Sequence, residues 1–160
     1  MIDPVPKSST ACRVETTQLV MPGDANVAGT AFGGKVVGWI DLAAALAAMR
    51  HARMPVVTAS IDQLDFLAPV RIGHVAIIRA QLNAVFGSSM EVGVEVLTED
   101  PVSGDRRKCC DAFLTFVALG TDGRPAPAPR LAPAGEEERR RAAEAETRRA
   151  LRQQHRRARR

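Results

Sequence analysis

The chain has no run of about 18 apolar residues, so no membrane-spanning helix is expected. Its opening, MIDPVPKSST, lacks the apolar stretch that a secretory signal needs, and none is expected. Cysteine is scarce and odd in number: Cys12, Cys109 and Cys110. The last two are adjacent and point to opposite sides of any strand. A disulfide framework and a zinc site are therefore disfavoured, and a reducing, cytoplasmic setting is expected. The three histidines show no HxxE or HExxH spacing and no GxSxG occurs, so zinc hydrolysis and a serine triad are unsupported. Tyrosine is absent and aromatics are few, while the apolar content, 46%, is ordinary and sufficient for one domain with a real core.

The net charge of +4 is not spread evenly. Residues 136–160 hold ten Arg and five Glu, a local balance of +5, which leaves residues 1–135 at −1. A basic tail can meet nucleic acid, an anionic surface or a phosphorylated cofactor.

The chain reads as a lead-in (1–12), a main domain (13–119), a Pro-rich linker (120–135) and an Arg-rich helix or tail (136–160). Arg13–Val20 is rich in β-branched residues and is expected to be a strand. Met21–Thr30 is a Pro/Gly/Asp/Asn loop. Gly33–Gly34 then opens a helix over Lys35–Arg50, with Val37, Ile40, Asp41, Ala44, Ala45 and Ala48 on one face. Five alanines within Asp41–Ala48 suit close packing on a flat surface such as a sheet. His51 and Arg53 lie near its C-terminal end, where positive charge suits the dipole, and Pro55 stops it. Val56–Phe66 is the next strand, with a parity switch near Asp62–Gln63 that indicates a bulge. His74–Phe86 and a segment through Met90–Val96 form an antiparallel pair with one wet face. Lys108–Ala118 is apolar at both parities, as a mid-sheet strand is. Pro125, Pro127, Pro129 and Pro133 make an extended linker. Glu136–Arg160 has acids first and arginines last, which suits a helix, but too few apolar residues for a buried face. A surface helix that frays toward Arg160 is expected. The sum is an α+β domain with one long central helix wrapped by an antiparallel sheet of five to six strands. The sheet's outer edge asks for a partner chain.

Asp41 is the residue of interest. A lone carboxylate beside Val37, Ile40 and Ala44 costs much to bury unpaired. It either sits at the border of the stripe and simply pairs, or acts as a partly desolvated general base or nucleophile. Glycines at the head of a helix leave N–H groups that can hold a developing oxyanion, although a Gly pair alone is also an ordinary loop. Asn26 can orient a water or a carbonyl, or merely shape a turn.

The run Met21-Pro22, Asp24, Asn26, Gly29, Phe32-Gly33-Gly34, Trp39 and Asp41 resembles the signature of the hotdog-fold acyl-CoA thioesterases. The resemblance is to the bacterial broad-specificity enzymes and the eukaryotic cytosolic acyl-CoA hydrolases. It continues through Val57-Thr58-Ala59-Ser60, Asp65-Phe66, Pro69-Val70-Arg71-Ile72-Gly73, Ser88-Ser89-Met90-Glu91-Val92 and Thr115-Phe116-Val117-Ala118, and spans roughly Val14 to Arg141. It implies hydrolysis of acyl-CoA to CoA and a carboxylic acid. Asp41 is then base or nucleophile, Asn26 comes from the opposing protomer, and the Gly34 amide polarises the carbonyl. It further implies that Ala59, Ser60, Ile61, Ser88, Ser89 and Met90 line the CoA site, with Arg148 at a CoA phosphate. No cofactor or metal is implied, and the assembly is a homodimer at least, with a trimer of dimers the frequent form. Two positions depart from the pattern: Phe86-Gly87 stands where many relatives carry a basic pair, and residue 27 is Val. The competing readings are a non-catalytic acyl-CoA sensor, disfavoured because no helix-turn-helix is recognisable, and a hotdog hydratase, disfavoured because Asp41 has no nearby His.

Overall fold

Helix α1 (Gly33–Ala52) lies against all five strands of one antiparallel sheet. The computed structural model describes residues 6–158, so the first five residues of the lead-in and the last two arginines lie outside the described residues. The strands are β1 (Val14–Leu19), β2 (Val56–Phe66), β3 (Val75–Phe86), β4 (Ser89–Glu99) and β5 (Arg106–Ala118), in the order β1-β3-β4-β5-β2. A second helix, α2 (Glu136–Ala158), follows the Pro-rich segment. This is the expected α+β architecture, with a strand count of five. No described helix is long and apolar enough to cross a membrane.

Small side chains bring α1 close to the sheet. Ala43, Ala44, Ala47 and Ala48 are buried beside Val36 and Ile40, over Ile78, Leu82, Met90, Leu114 and Phe116. The buried stripe is turned by about one residue from the expected one. Val37, Asp41 and Ala45 lie half-buried on its border, not at its centre. The reason is that alanine, present on both candidate faces, does not mark which one is inward. The helix ends with Arg53 in the left-handed region (φ 56°), its N–H donating to the Met49 carbonyl at 2.8 Å.

His51 is not the positively charged, dipole-facing residue expected from its position. It is fully buried, with Nε2 at 2.7 Å from the Pro129 carbonyl and Nδ1 at 3.8 Å from the Cys12 sulfur. A carbonyl only accepts, so Nε2 carries the proton and Nδ1 accepts from the thiol. One neutral imidazole thus ties the end of α1 to the Pro-rich segment and the N-terminal turn. That segment docks on the domain: Ala126 N–H donates to the Ala118 carbonyl and Ala128 N–H to the Gly87 carbonyl, both at 2.9 Å.

The face of β3 and β4 expected to be wet is covered. Helix α2 packs across it, helical through Ala158, and buries Gln81, Asn83 and Glu91. Its attachment is made by arginines, with Ala145 the only fully buried α2 side chain among the described residues. Arg148 donates to Glu91 Oε1 at 2.8 Å and lies 3.7 Å from the Phe113 ring centroid. Arg152 Nη1 donates to Glu91 Oε2 at 3.0 Å and to Asp62 Oδ2 at 2.7 Å, and Arg141 donates to Asn83 at 2.9 Å. Glu138 anchors the start of α2, accepting from Ser9 Oγ at 2.6 Å and from the Ala134 N–H at 2.8 Å.

Glu91 has no exposed surface, and removing its charge leaves two arginines facing a buried neutral amide. Glu91→Gln is expected to cost about 3 kcal/mol in urea unfolding and to speed hydrogen exchange along α2. His51 gives a second expectation. Burial holds its folded value below the ordinary imidazole range. As pH falls through about 6.5 the unfolded chain takes up a proton that the folded chain resists, so stability falls on acidification and is unaffected above that window. Urea midpoints of the wild type should fall between about pH 7.5 and 5.5, with a smaller fall in His51→Asn.

Candidate functional site

Asp41 leaves α1 on the border that faces β2. Its Oδ1 accepts a hydrogen bond from Thr58 Oγ1 at 2.8 Å, and no other described side chain bonds to this carboxylate. Thr58 reaches it because of an irregularity in β2. The register pairs Thr58 with Phe116, then Ser60 with Thr115, leaving Ala59 unpaired between them. Thr58 and Ser60 would share a face in a regular strand. The break sends Thr58 toward α1 and Ser60 to the outer face, where Thr115 and Glu91 continue its row. A second break, between Asp62 and Asp65 with Gln63 at φ 43°, is the bulge expected from the parity switch.

The helix N-terminus is open. Phe32 is the N-cap and offers no side-chain acceptor, and the Lys35 and Val36 amides both close on the Phe32 carbonyl. The Gly33 and Gly34 amides therefore start the helix with no intrahelical acceptor. A side chain at Gly34 would meet nothing within 4 Å, so this end is accessible to a ligand oxygen. Beside it opens a cavity of about 330 Å³ lined by Thr30, Gly33, Val36, Phe66, Leu67 and Cys109 among others. A larger groove of about 790 Å³ runs under α2. Its cations are largely engaged, Arg79 with Glu15, Lys108 with Asp111 and Arg148 with Glu91, so its size does not make it an anion site.

Asn26 stands at the head of a turn that its own side chain builds. Its Oδ1 accepts from the Ala28 and Thr30 N–H groups at 3.0 and 3.3 Å, and its Nδ2 donates to Thr30 Oγ1 at 3.1 Å. Gly29, at φ 74°, lets the turn close, and its carbonyl accepts from the Ile72 N–H at 3.0 Å. Asp24 braces the same loop, accepting from the Met21 N–H at 3.1 Å with the Lys35 ammonium at 3.2 Å. The backbone hydrogen bond, then Lys35, holds the Asp24 carboxyl below its ordinary value. Val27 projects fully exposed from the turn's tip. Within the single chain, no hydrogen bond links Asn26 to Asp41.

The residues expected to line a CoA site fall in two segments of the same sheet. Ala59 and Ile61 are exposed on β2, and the Ser60 hydroxyl is buried without a partner. Two strands away, Ser89 Oγ donates to the Phe86 carbonyl at 3.2 Å, the Ser88 carbonyl accepts from the Ala118 N–H, and Met90 is fully buried under α1. Met90 is thus core in the single chain, and Arg148 is committed to Glu91 rather than free. Thr58, by contrast, is the direct partner of Asp41 and was not singled out in sequence. The only signal for it was its place in the Val57–Ser60 run.

This arrangement agrees with what the chain resembles. Residues 28–104 match the family model described as thioesterase superfamily. An uncharacterized acyl-CoA thioester hydrolase of Bacillus subtilis is 43% identical over 79% of this chain and 73% of its own length. The chain belongs to the thioesterase superfamily. Among solved structures, a hexameric acyl-CoA thioesterase superposes with a TM-score of 0.90 at 39% identity, covering 94% of this chain and 96% of that one. The Staphylococcus aureus acyl-CoA hydrolase, solved with butyryl coenzyme A and coenzyme A, does so at 0.87 and 35% identity over 94% and 92%. This thioesterase-family chain therefore has the hotdog fold, and its kinship is with acyl-CoA thioester hydrolases. Some relatives are longer: it spans 38% of the cytosolic acyl coenzyme A thioester hydrolase of Homo sapiens.

If the Thr58 hydroxyl orients Asp41, Thr58→Val should lower thioester turnover by roughly tenfold or more while leaving the thermal midpoint within a few degrees. Unchanged turnover would reduce the hydrogen bond to a surface contact.

Proposed function

We propose that this protein hydrolyses acyl-CoA thioesters to coenzyme A and a carboxylic acid, with Asp41 as general base or nucleophile. The observation that carries the reading is the Thr58–Asp41 hydrogen bond of 2.8 Å, which uses one carboxylate oxygen and leaves the other available. The chemistry needs a base or nucleophile, a donor to the developing oxyanion and a slot for the acyl chain. Asp41 supplies the first and the Gly34 amide the second. The 330 Å³ cavity beside Gly33 supplies the third.

Helix geometry supports one way of combining these parts. Seven residues separate Gly34 from Asp41 on α1, about 10 Å along the axis. One carbonyl group cannot touch both in the same chain. In this reading the site is shared: Gly34 and Asn26, which sits in the loop just ahead of it, serve from one protomer, and Asp41 with Thr58 from the other. Either Asp41 takes a proton from the attacking water, or it attacks the carbonyl carbon itself and the acyl group is then released by water. In both routes the carbonyl oxygen gains charge at the Gly34 N–H and CoA departs as the thiolate.

The single chain is suited to such a partner. Among the described strands β2 is hydrogen-bonded only to β5, and Val57, Ile61 and Phe66 on it are exposed, as is Leu42 on α1. A homodimer is the minimum, and a trimer of dimers is the fuller assembly, in line with the hexameric relative. The setting is the cytoplasm, consistent with Cys12, Cys109 and Cys110 being buried free thiols. Within this reading Ala59, Ser60, Ile61, Ser88 and Ser89 border the CoA path across the assembled oligomer.

The test uses thiol release from acyl-CoA esters of several chain lengths. Asp41→Asn and Asn26→Ala should each lose turnover by at least about a hundredfold. Co-assembled from equal amounts of the two variants, half of the dimers carry one intact site, and about a quarter of wild-type activity should return. No recovery would place both residues in a single chain's site. Tight CoA-ester binding by wild type without thiol release would favour the non-catalytic sensor.

A further inference from the structure

We propose that Cys109 of β5 is a specificity-determining residue that sets the longest acyl chain the site accepts, by forming the blind floor of the 330 Å³ cavity beside Gly33. This rests on the reading of that cavity as the acyl slot.

Side chains of β5 alternate between the faces of the sheet only while its pairing is regular. Facing β4, Cys110 pairs with Val96 and Lys108 with Leu97, which leaves Cys109 unpaired between them. Such a bulge turns two successive side chains to one side. Cys110 lies opposite Val96, in the row that packs under α1, and Cys109 joins it there instead of facing outward. Both thiols are fully buried. The adjacent cysteines thus do not point to opposite sides, as they would in an unbroken strand. The Cys109 carbonyl accepts from the Leu67 and Ala68 N–H groups at 2.7 and 3.3 Å. Leu67 and Ala68 line the same cavity, so the bulged residue also fastens one of its walls.

The lining residues divide by exposure. Phe66 and Leu67 are exposed and form the rim. A side chain at Gly33 would meet the Phe66 ring at 3.5 Å, so the mouth opens beside the helix start assigned to the carbonyl oxygen. Val36, Val70 and Cys109 have almost no exposed surface and form the floor. Next inward stand Ile40 and Cys110, fully buried in the packed core, so a chain entering at Gly33 finds no exit. Cys109 is the floor residue that a local irregularity puts in place. With regular pairing this position would present no side chain to the slot, and the slot would run deeper toward β5. A buried thiol packs as a small apolar group, which suits the methyl end of an aliphatic chain.

The experiment measures kcat/KM for straight-chain esters from acetyl-CoA to palmitoyl-CoA, using the assembled full-length protein and its Cys109→Leu and Cys109→Ala variants. Cys109→Leu adds bulk at the floor. It should lower kcat/KM for the longest esters the wild type accepts by roughly tenfold or more, while that for acetyl-CoA changes less than about twofold. Cys109→Ala removes the sulfur. It should move the optimum to a longer chain, raising kcat/KM for the ester just beyond the wild-type optimum by roughly tenfold relative to acetyl-CoA. Overpacking by leucine can disrupt a core, and the alanine variant carries the test independently. The proposal is overturned if Cys109→Ala keeps the wild-type chain-length profile, or if a folded Cys109→Leu lowers every ester by the same factor. Absence of thiol release by the wild type from every ester would instead remove the hydrolase reading, and the proposal with it.

Discussion

Thr58, Ser60 and Asp62 have the same parity in β2, and an unbroken strand would send all three to one side of the sheet. The pairing break at Ala59 separates them. Thr58 turns to Asp41 on α1, while Ser60 and Asp62 turn to the outer face and α2. One unpaired residue in an edge strand therefore serves a hydrophobic core on one side and a charged layer on the other. The candidate site depends on this, because Asp41 lies on the border of the buried stripe and has no hydrogen-bonding partner on its own helix.

The two layers are held by different physics. Against the inner face, α1 approaches closely because five of its buried side chains are alanine, and the contact is apolar away from its border, where Asp41 meets Thr58. Against the outer face, α2 brings arginines to a carboxylate without solvent exposure, supported by Asn83, which bonds both Glu91 and Arg141. Burying charge carries a large desolvation cost, and such layers stabilise only when most groups are paired. Glu91 meets that condition with two guanidinium groups. The hydroxyls of Ser60 and Thr115 in the same row do not, since both are buried without a partner.

Much of the fold was legible because the strands carry their own signals. Val56–Phe66 has the observed bounds, and the switch of apolar parity near Gln63 marks a real irregularity. The break at Ala59 gave no such signal, since alanine reads equally well on either face. The same ambiguity rotated the expected face of α1 by one residue. Asp41 stood out as a lone charge in an apolar stripe. Thr58, 17 residues away, is joined to it only by the tertiary packing of helix on strand, which no spacing rule encodes. Helix α2 was legible as a helix. Its docking was not, because a charge-rich face with few apolar residues reads as solvated, and its buried counterpart, Glu91, looks like the polar half of an ordinary alternation. The role of His51 was not legible for a related reason: its position at a helix end suits a positive charge facing the dipole, while a segment 78 residues later closes over it.

The central claim is a reactive centre divided between two copies of α1, with the oxyanion donor on one and the carboxylate on the other. A structure of the assembled protein with a non-hydrolysable ketone analogue of an acyl-CoA tests it most directly. The carbonyl oxygen is expected within hydrogen-bond distance of the Gly34 N–H of one protomer, and the carbonyl carbon facing the Asp41 carboxylate of its partner, with the Thr58 hydrogen bond intact. A carbonyl held by Gly34 with no Asp41 carboxylate of either protomer near its carbon would contradict the claim, as would a ligand bound wholly within one chain.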